Sequence, residues 1–158
     1  MKKKIAGLVL AIVLAGLLCT VYFIFMQSAG SKSPKHKCKG SARCFYGTIE
    51  RVTDGDTLEI SGETVRLALI NTPEKWEEDY KAAKNFVENL CPIGSEIIVD
   101  EDDLQSSRSH RRIVAVVYCG SKNLNEELLK VGHAEILEDF CDRSEFASEE
   151  WAKSYGCD

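Results

Sequence analysis

Two polar clusters flank one arginine within residues 54–74. Residues 54–57 read DGDT, residues 71–74 read NTPE, and Arg66 lies between them. Carboxylate and amide oxygens bind hard metal ions, and a guanidinium binds phosphate through paired hydrogen bonds. Brought together, residues of these types have the chemistry needed to hold a metal ion against a phosphodiester.

The candidate metal ligands are all oxygen atoms. Ca²⁺ prefers carboxylate, amide and backbone carbonyl oxygens at about 2.3 to 2.6 Å. Asp56, the Asn71 amide oxygen and the Thr72 carbonyl can supply them, and Pro73 keeps the Thr72 backbone away from helical geometry. The alternative is structural, because Asp-Gly is also a common tight-turn sequence.

Three charged residues are candidates for the catalytic chemistry. Glu74 can act as a general base that takes a proton from an attacking water molecule. Arg66 can direct its planar guanidinium at a phosphate, and one of the neighbouring Arg111 and Arg112 is a candidate for a second phosphate clamp. Each has an ordinary alternative, since charged residues on strands and in polar loops most often face solvent.

A β-hairpin is expected to bring the two clusters together. Apolar residues recur at every second position after Thr57, as in a half-buried strand, and Ser61-Gly62 is a hairpin turn signal. Strands at 57–60 and 63–70 would then return residues 71–74 to the place where Asp56 begins the hairpin.

The remaining periodicities complete a five-stranded domain. Helical spacing predicts a helix at 80–90, a second at 124–131 ended by Gly132, and a third capped by Ser144. Strands are predicted at 45–52, 57–60, 63–70, 96–99 and 113–119. Five strands with a helix between the third and the fourth follow the order of an OB-fold barrel, so the predicted fold class is α+β.

An unbroken apolar run of 22 residues, at 5–26, precedes this domain. As a helix it would span about 33 Å, which matches the hydrocarbon core of a bilayer. We favour an uncleaved transmembrane anchor over a cleaved signal peptide, whose apolar part is usually only about 7 to 15 residues long. The predicted organisation is a membrane segment at 1–26, a basic flexible linker at 27–43 and a folded domain at 44–158.

Six cysteines follow the apolar run, and an even number in a small domain suggests disulfides and an extracytoplasmic location. The alternatives are buried free thiols in a cytosolic protein or a zinc site, which the lack of a C-x-x-C pair disfavours. Sequence alone does not choose among the possible pairings. We favour Cys141 with Cys157, bracing the last helix, and Cys38 with Cys44, bracing the first strand.

The domain is acidic overall. From position 31 onward the chain has 17 Lys and Arg against 25 Asp and Glu, a balance that excludes a general polyanion binder. Nucleic acid would have to be bound through a local arginine site and a bound cation. The basic stretch at 32–43 is interpreted as a solvated linker beside anionic lipid headgroups.

Four sequence blocks resemble, in order, the staphylococcal nuclease-like (thermonuclease) family. The blocks are DGDT at 54–57, RLALINTPE at 66–74, RIVA at 112–115 and NEELLKVG at 125–132. The similarity extends from about residue 45 to residue 151, which is almost the whole outer domain. Any one block alone is weak, and the four together are highly specific.

The resemblance implies a calcium-dependent nuclease on an OB-fold that cleaves DNA and RNA with little sequence preference, single strands being preferred. The roles carried over from the family are Ca²⁺ binding by Asp56, Asn71 and the Thr72 carbonyl, activation of water by Glu74, and phosphate binding by Arg66 and Arg112. We expect a monomer, held at the membrane with its domain outside the cytoplasm, or secreted if the N-terminal segment is cleaved.

Three positions depart from the family pattern. Asn71 stands where the family often has Asp, so one negative charge is lost and Ca²⁺ affinity should fall or the preferred metal change. His110 replaces a base-stacking aromatic residue, and Glu138 stands where another aromatic residue is expected, with Phe140 nearby. Because stacking contributes about 1 to 3 kcal/mol per base, these changes affect substrate binding more than catalysis.

The leading hypothesis is therefore a membrane-anchored, disulfide-braced nuclease. Its rival is a non-catalytic OB-fold module that binds nucleic acid or a protein partner at the cell surface. Glu74 argues against that rival, because a pure binder has no need of a base beside a metal. A third hypothesis, a surface domain with no nucleic-acid role, requires all four blocks to be coincidental.

Overall fold

A closed barrel of five strands forms the centre of the computed structural model, which describes residues 38–105 and 111–157 of the chain. Neighbouring strands pair antiparallel, except that the third and the last pair in parallel and close the barrel. The predicted five-stranded OB-type barrel is thus confirmed. Its strands are β1 (Cys44–Val52), β2 (Thr57–Ile60), β3 (Glu63–Leu67), β5 (Glu96–Glu101) and β6 (Ile113–Cys119), and the short strands outside it are β4 (Ile70–Asn71), β7 (Lys122–Asn123) and β8 (Glu135–Ile136).

Three α-helices of the described part of the chain pack around the barrel. The first lies between β4 and β5 and buries Ala83 and Val87, as its amphipathic pattern predicts. The second is capped by Asn123, whose side chain accepts a hydrogen bond from the Glu126 amide at 3.2 Å. The helices are α1 (Tyr80–Leu90), α2 (Leu124–Lys130) and α3 (Glu150–Tyr155).

The third predicted helix differs from the structure in its start. Ser144 does act as a cap, because its hydroxyl accepts a hydrogen bond from the Phe146 amide at 3.2 Å. The segment that it caps is a short 3₁₀-helix, Glu145–Ser148, and the α-helix begins only at Glu150. Buried Phe146 and Trp151 anchor both segments on the core.

The hairpin between β2 and β3 forms as predicted. Ser61 and Gly62 both have positive φ, at 48° and 79°, which is the backbone of the two-residue turn that matches strand twist. The register pairs Thr57 with Arg66, so the start of β2 lies beside the end of β3.

The third strand is three residues shorter than predicted. Leu69 adopts φ 62°, a left-handed conformation that no strand continues through, and β3 therefore ends at Leu67. Beyond this turn, β4 pairs with β8, and Asn71 faces Glu135 in that register. The predicted strand extended past the turn because the four residues at 67–70 are all apolar, and all four are buried in the structure.

The predicted membrane segment lies outside the described residues, as does the linker up to residue 37. None of the helices at 38–105 or 111–157 has the length and apolar character required to cross a bilayer. Residues 38–43, which were assigned to the linker, are fastened to the barrel. The carboxylate of Asp103 accepts hydrogen bonds from the amides of Ser41 and Ala42.

Three disulfides close the described part of the chain. Cys38 pairs with Cys44 and Cys141 with Cys157, which confirms the two pairings favoured from sequence. The third bond joins Cys91, just after α1, to Cys119 at the end of β6. Each bond stabilises a small domain by about 2 to 4 kcal/mol, mainly by restricting the unfolded chain.

A buried carboxylate lies under the Cys38–Cys44 loop. Asp100 is only 1% exposed, and one of its oxygens accepts a hydrogen bond from the Lys39 amide at 2.9 Å. Its other oxygen has no hydrogen-bond partner in the described part of the chain. Burial raises the pKa of this carboxyl, and the charges of Asp103 and Asp102 add to the effect.

Asp100→Asn is expected to make stability less dependent on pH. A carboxyl whose pKa is raised by folding destabilises the folded state where it is ionised, and this penalty disappears below its ordinary pKa of 3.8. The difference in unfolding free energy between the variant and the wild type should therefore increase by on the order of 1 kcal/mol, in favour of the variant, as the pH rises from about 3.5 to about 7. Urea unfolding of both proteins at the two pH values measures this increase. The same difference between variant and wild type at both pH values would contradict the prediction.

Candidate active site

Asp56 lies at the start of β2 and is almost fully buried. Its Oδ2 accepts hydrogen bonds from the Thr72 amide at 2.8 Å and from the Thr72 hydroxyl at 2.9 Å. Its Oδ1 accepts a hydrogen bond from the Thr57 hydroxyl at 3.2 Å. The hairpin thus brings the two polar clusters into direct contact, as the sequence predicted.

Gly55 makes this contact possible through its lack of a side chain. A Cβ built at Gly55 would lie 2.7 Å from Thr72 Oγ1 and 2.9 Å from the Cβ of Ala83 in α1. The glycine is absent from the described residues with positive φ, so close approach, not turn geometry, is the reason for it. The DGDT sequence therefore packs the loop before β2 against both β4 and α1.

Arg66 joins the two clusters. One end of its guanidinium forms an ion pair with Asp56 Oδ1, and Nη2 donates to Asn71 Oδ1 at 3.0 Å. Its side chain is mostly buried, so the alternative of an ordinary solvent-facing arginine is wrong. The guanidinium lies at the centre of the predicted site and is shared between two of the predicted metal ligands.

Glu74 lies just beyond this network in a tight turn. The turn is closed by the Glu77 amide, which donates to the Glu74 carbonyl at 2.8 Å, and by the Glu77 carboxylate, which accepts from the Glu74 amide at 2.5 Å. The Glu74 side chain is exposed, and its carboxylate has no hydrogen bond or ion pair at 38–105 or 111–157. It is therefore available to accept a proton.

Arg112 lies on the same outer face of the barrel as Arg66. The parallel register pairs Arg66 with Val114, and Val114 is two residues after Arg112, which immediately precedes β6. Strand spacing then separates the two arginine Cα atoms by roughly 8 Å. The Arg112 Nε is buried without a hydrogen-bond partner among the described residues, which is unusual because such a donor costs about 1 to 3 kcal/mol. An anionic ligand is the natural partner for it.

A second carboxylate, Asp54, belongs to this site and was not assigned from sequence. Its Oδ1 accepts a hydrogen bond from the Asp56 amide at 3.2 Å. Burial raises the pKa of Asp54, and the neighbouring charge of Asp56 raises it further. The DGDT spacing was the available signal, because alternate acidic residues around a glycine already placed both carboxylates in one turn.

Asn125, in the fourth sequence block, supports the site from behind. Its amide donates to the carbonyls of Ala68 at 2.9 Å and Ala115 at 3.3 Å, and its Oδ1 accepts from Val117 at 3.2 Å. These bonds fix α2 to β6 and to the turn between Arg66 and Asn71. The residue is fully buried and structural.

The chemistry of the predicted calcium ligands suits a hard cation, although their charge is low. Asp56 contributes a carboxylate, Asn71 an amide oxygen and Thr72 a carbonyl, all of them oxygen donors. No cluster of three acidic, His or Cys side chains able to hold a metal occurs in the described ranges. Burial and, after it, the charge of Asp56 raise the pKa of Asp54, and a bound cation would offset the repulsion between these two carboxylates.

The positions predicted to stack on a base provide little aromatic surface. His110 lies outside the described residues, and Glu138 is an exposed acidic residue in a 3₁₀-helix. Phe140 is 38% exposed, but the guanidinium carbon of Arg143 already lies 5.9 Å from its ring centroid. Base stacking therefore has no free aromatic partner at these described positions.

Barrel and site together define a class of protein, the OB-fold proteins with a polar site built on the outer face of β2, β3 and β6. Residues 64–154, more than half of the chain, match the sequence profile of the family described as staphylococcal nuclease homologue. The chain belongs to this family, as its four sequence blocks indicated.

Several curated proteins are similar to this chain. An uncharacterized protein of Methanocaldococcus jannaschii is 28% identical over 137 residues, which cover 67% of this chain and 66% of that protein. The endonuclease YncB of Bacillus subtilis is 27% identical over 120 residues, covering 70% of this chain and 54% of the endonuclease. The SPbeta prophage-derived endonuclease YokF of the same organism is 28% identical over 99 residues, covering 56% of this chain and 33% of YokF. The chain thus spans between one third and two thirds of the length of these relatives.

Proposed function

We propose that this protein is a nuclease that hydrolyses phosphodiester bonds of DNA and RNA with the aid of Ca²⁺. The observation that carries the proposal is the buried, unpartnered Nε of Arg112 on the same face as Arg66. Membership of the family and the similarity to two proteins named as endonucleases support it. Two guanidinium groups on one face of the barrel, together with an exposed carboxylate in the turn after β4, are suited to an anionic ester.

In the proposed reaction, the chain's own residues position the phosphate and move one proton. Arg66 and Arg112 bind non-bridging oxygens and stabilise the charge that develops on them in the transition state. The Glu74 carboxylate takes a proton from water as the water oxygen forms a bond to phosphorus. The P–O ester bond then breaks, and the leaving oxygen takes a proton from solvent.

Calcium would be held by Asp56, Asn71 and the Thr72 carbonyl, with Asp54 close by. When bound, it supplies positive charge that offsets the charge of the phosphate and orients it. Because Asn71 contributes no charge, binding should be weaker than at a site with an aspartate in its place.

Removing calcium is expected to lower the cleavage rate of denatured DNA by about 10²-fold or more, since metal stabilisation of such a transition state is worth several kcal/mol. Asn71→Asp should reduce the Ca²⁺ concentration required for half-maximal rate, because it restores a charged ligand. A calcium titration of both proteins from chelator-treated stocks measures these effects. Full activity in chelator would contradict the calcium requirement.

We further propose that the protein is a monomer that acts outside the cytoplasm, held at the membrane by residues 5–26 or secreted if that segment is cleaved. Three disulfides support an oxidising compartment. A preference for single strands is part of the same proposal. Protease accessibility of the domain on intact cells tests the location.

The rival function is a non-catalytic OB-fold module that binds nucleic acid or a protein partner. The exposed Glu74, whose carboxylate has no partner at 38–105 or 111–157, disfavours it, because a carboxylate weakens the binding of a polyanion unless it takes part in the reaction. Binding of oligonucleotides without cleavage, across several divalent ions, would support the rival.

A further inference from the structure

An exposed tryptophan projects from the turn that carries Glu74. Trp76 is 81% exposed, and no described residue forms a ring contact or hydrogen bond with its indole. The other tryptophan of the chain, Trp151, is buried in the core. Single exposed apolar residues are common on surfaces, so the position of Trp76 is what gives it meaning.

The turn at 74–77 presents this indole from a fixed backbone. Its two closing hydrogen bonds, both between Glu74 and Glu77, hold the two ends of the turn that contains Trp76. The Cα atoms of Glu74 and Trp76 lie at most about 7 Å apart, because only Lys75 separates them. The backbone that carries the indole therefore lies within about one nucleotide of the backbone that carries the candidate general base.

We propose that Trp76 is the base-stacking platform of this site. It takes the free face of one unstacked base, in a single strand of DNA or RNA whose phosphate is bound at Arg66 and Arg112. This inference rests on the proposed nuclease function. The proposal also gives a role to the aromatic side chain in this turn. At Glu138, where the family pattern has an aromatic residue, this chain has none.

The charge around Trp76 selects a base rather than a phosphate or an anionic lipid surface. Glu77, Glu78 and Asp79 are exposed beside it, and Lys75 is the only basic residue within this turn and the three residues after it. Phosphates and lipid headgroups are repelled by such a surface. The face of a base is uncharged, and stacking on it does not require a positive surface.

The test compares two probes in the full chain carrying Glu74→Gln, which slows cleavage during the measurement. The probes are a single-stranded oligothymidylate and an abasic oligomer of the same length. Binding of the oligothymidylate should quench the fluorescence of the exposed indole. Trp76→Ala should weaken the binding of this oligomer about 5- to 150-fold. Trp76→Phe should keep most of the affinity, and the abasic oligomer should bind equally well with and without Trp76→Ala.

Tyr46→Ala is the matched control. Tyr46 is also an exposed aromatic residue, at 60%, but it lies roughly 20 Å along β1 from the Val52 end that borders the site. This variant should bind both probes as the parent does. The control separates a stacking partner from a general loss of exposed aromatic surface.

The outcomes separate this inference from the function on which it rests. If the wild type cleaves DNA and Trp76→Ala leaves the Kd for oligothymidylate unchanged, stacking is overturned and the nuclease proposal stands. An equal loss on both probes also overturns stacking, because the abasic oligomer offers no base. If the wild type neither cleaves nor binds any oligonucleotide, both proposals are overturned.

Discussion

Glu74→Gln is expected to lower the rate of DNA hydrolysis by about 10² to 10⁴-fold, because an amide cannot take the proton of the attacking water. The substitution is nearly isosteric, and the side chain is exposed without a partner in the described part of the structure. Substrate affinity and the thermal unfolding midpoint should therefore change little. Single-turnover cleavage of a labelled oligonucleotide at saturating enzyme measures the chemical step directly.

Glu78→Gln provides the control for this experiment. Glu78 is an exposed carboxylate four residues further along the same loop, so its substitution removes the same charge without removing the proposed base. We expect a rate close to that of the wild type. Similar losses for both variants would point to a general charge effect on the loop, and full activity of Glu74→Gln would show that Glu74 is not the base.

Arg112→Met is expected to reduce cleavage by about 10² to 10³-fold, the usual loss when one donor to a developing oxyanion is removed. Methionine preserves the apolar stem and removes only the guanidinium. Because Nε of Arg112 is buried without a partner in the described structure, the same change should leave thermal stability equal or slightly higher. The measurement is kcat and KM together with the unfolding midpoint.

A loss of activity without a loss of thermal stability distinguishes a functional arginine from a structural one. Arg112→Lys should recover little of the lost rate, since an ammonium cannot bind phosphate through two parallel hydrogen bonds. Arg43→Met is a suitable control. Arg43 pairs with Glu101 and Glu63 away from Asp56, so its loss should cost stability and leave activity unchanged. A drop in stability without loss of activity in Arg112→Met would refute the clamp.

Sequence patterns predicted best where the interactions are local. The turn at Ser61-Gly62 and the alternation on either side of it specify the hairpin, and the hairpin placed Asp56 next to the second cluster. Capping by Ser144 was also correct, but the length of the element that followed was not. A cap satisfies only the first amides of a helix, whereas the packing of Phe146 and Trp151 decides where the helix continues.

What the sequence by itself determined is therefore the barrel order, the two polar clusters and their meeting point, whereas the cysteine pairing was settled only by the fold. The tertiary structure decided the left-handed turn at Leu69 that places Asn71 on a separate strand pair. It also decided the partnership of Arg66 with Asp56 and the position of Arg112 beside Arg66. Those features depend on the parallel pairing of β3 with β6 and on burial against distant residues, and neither leaves a local pattern in the chain.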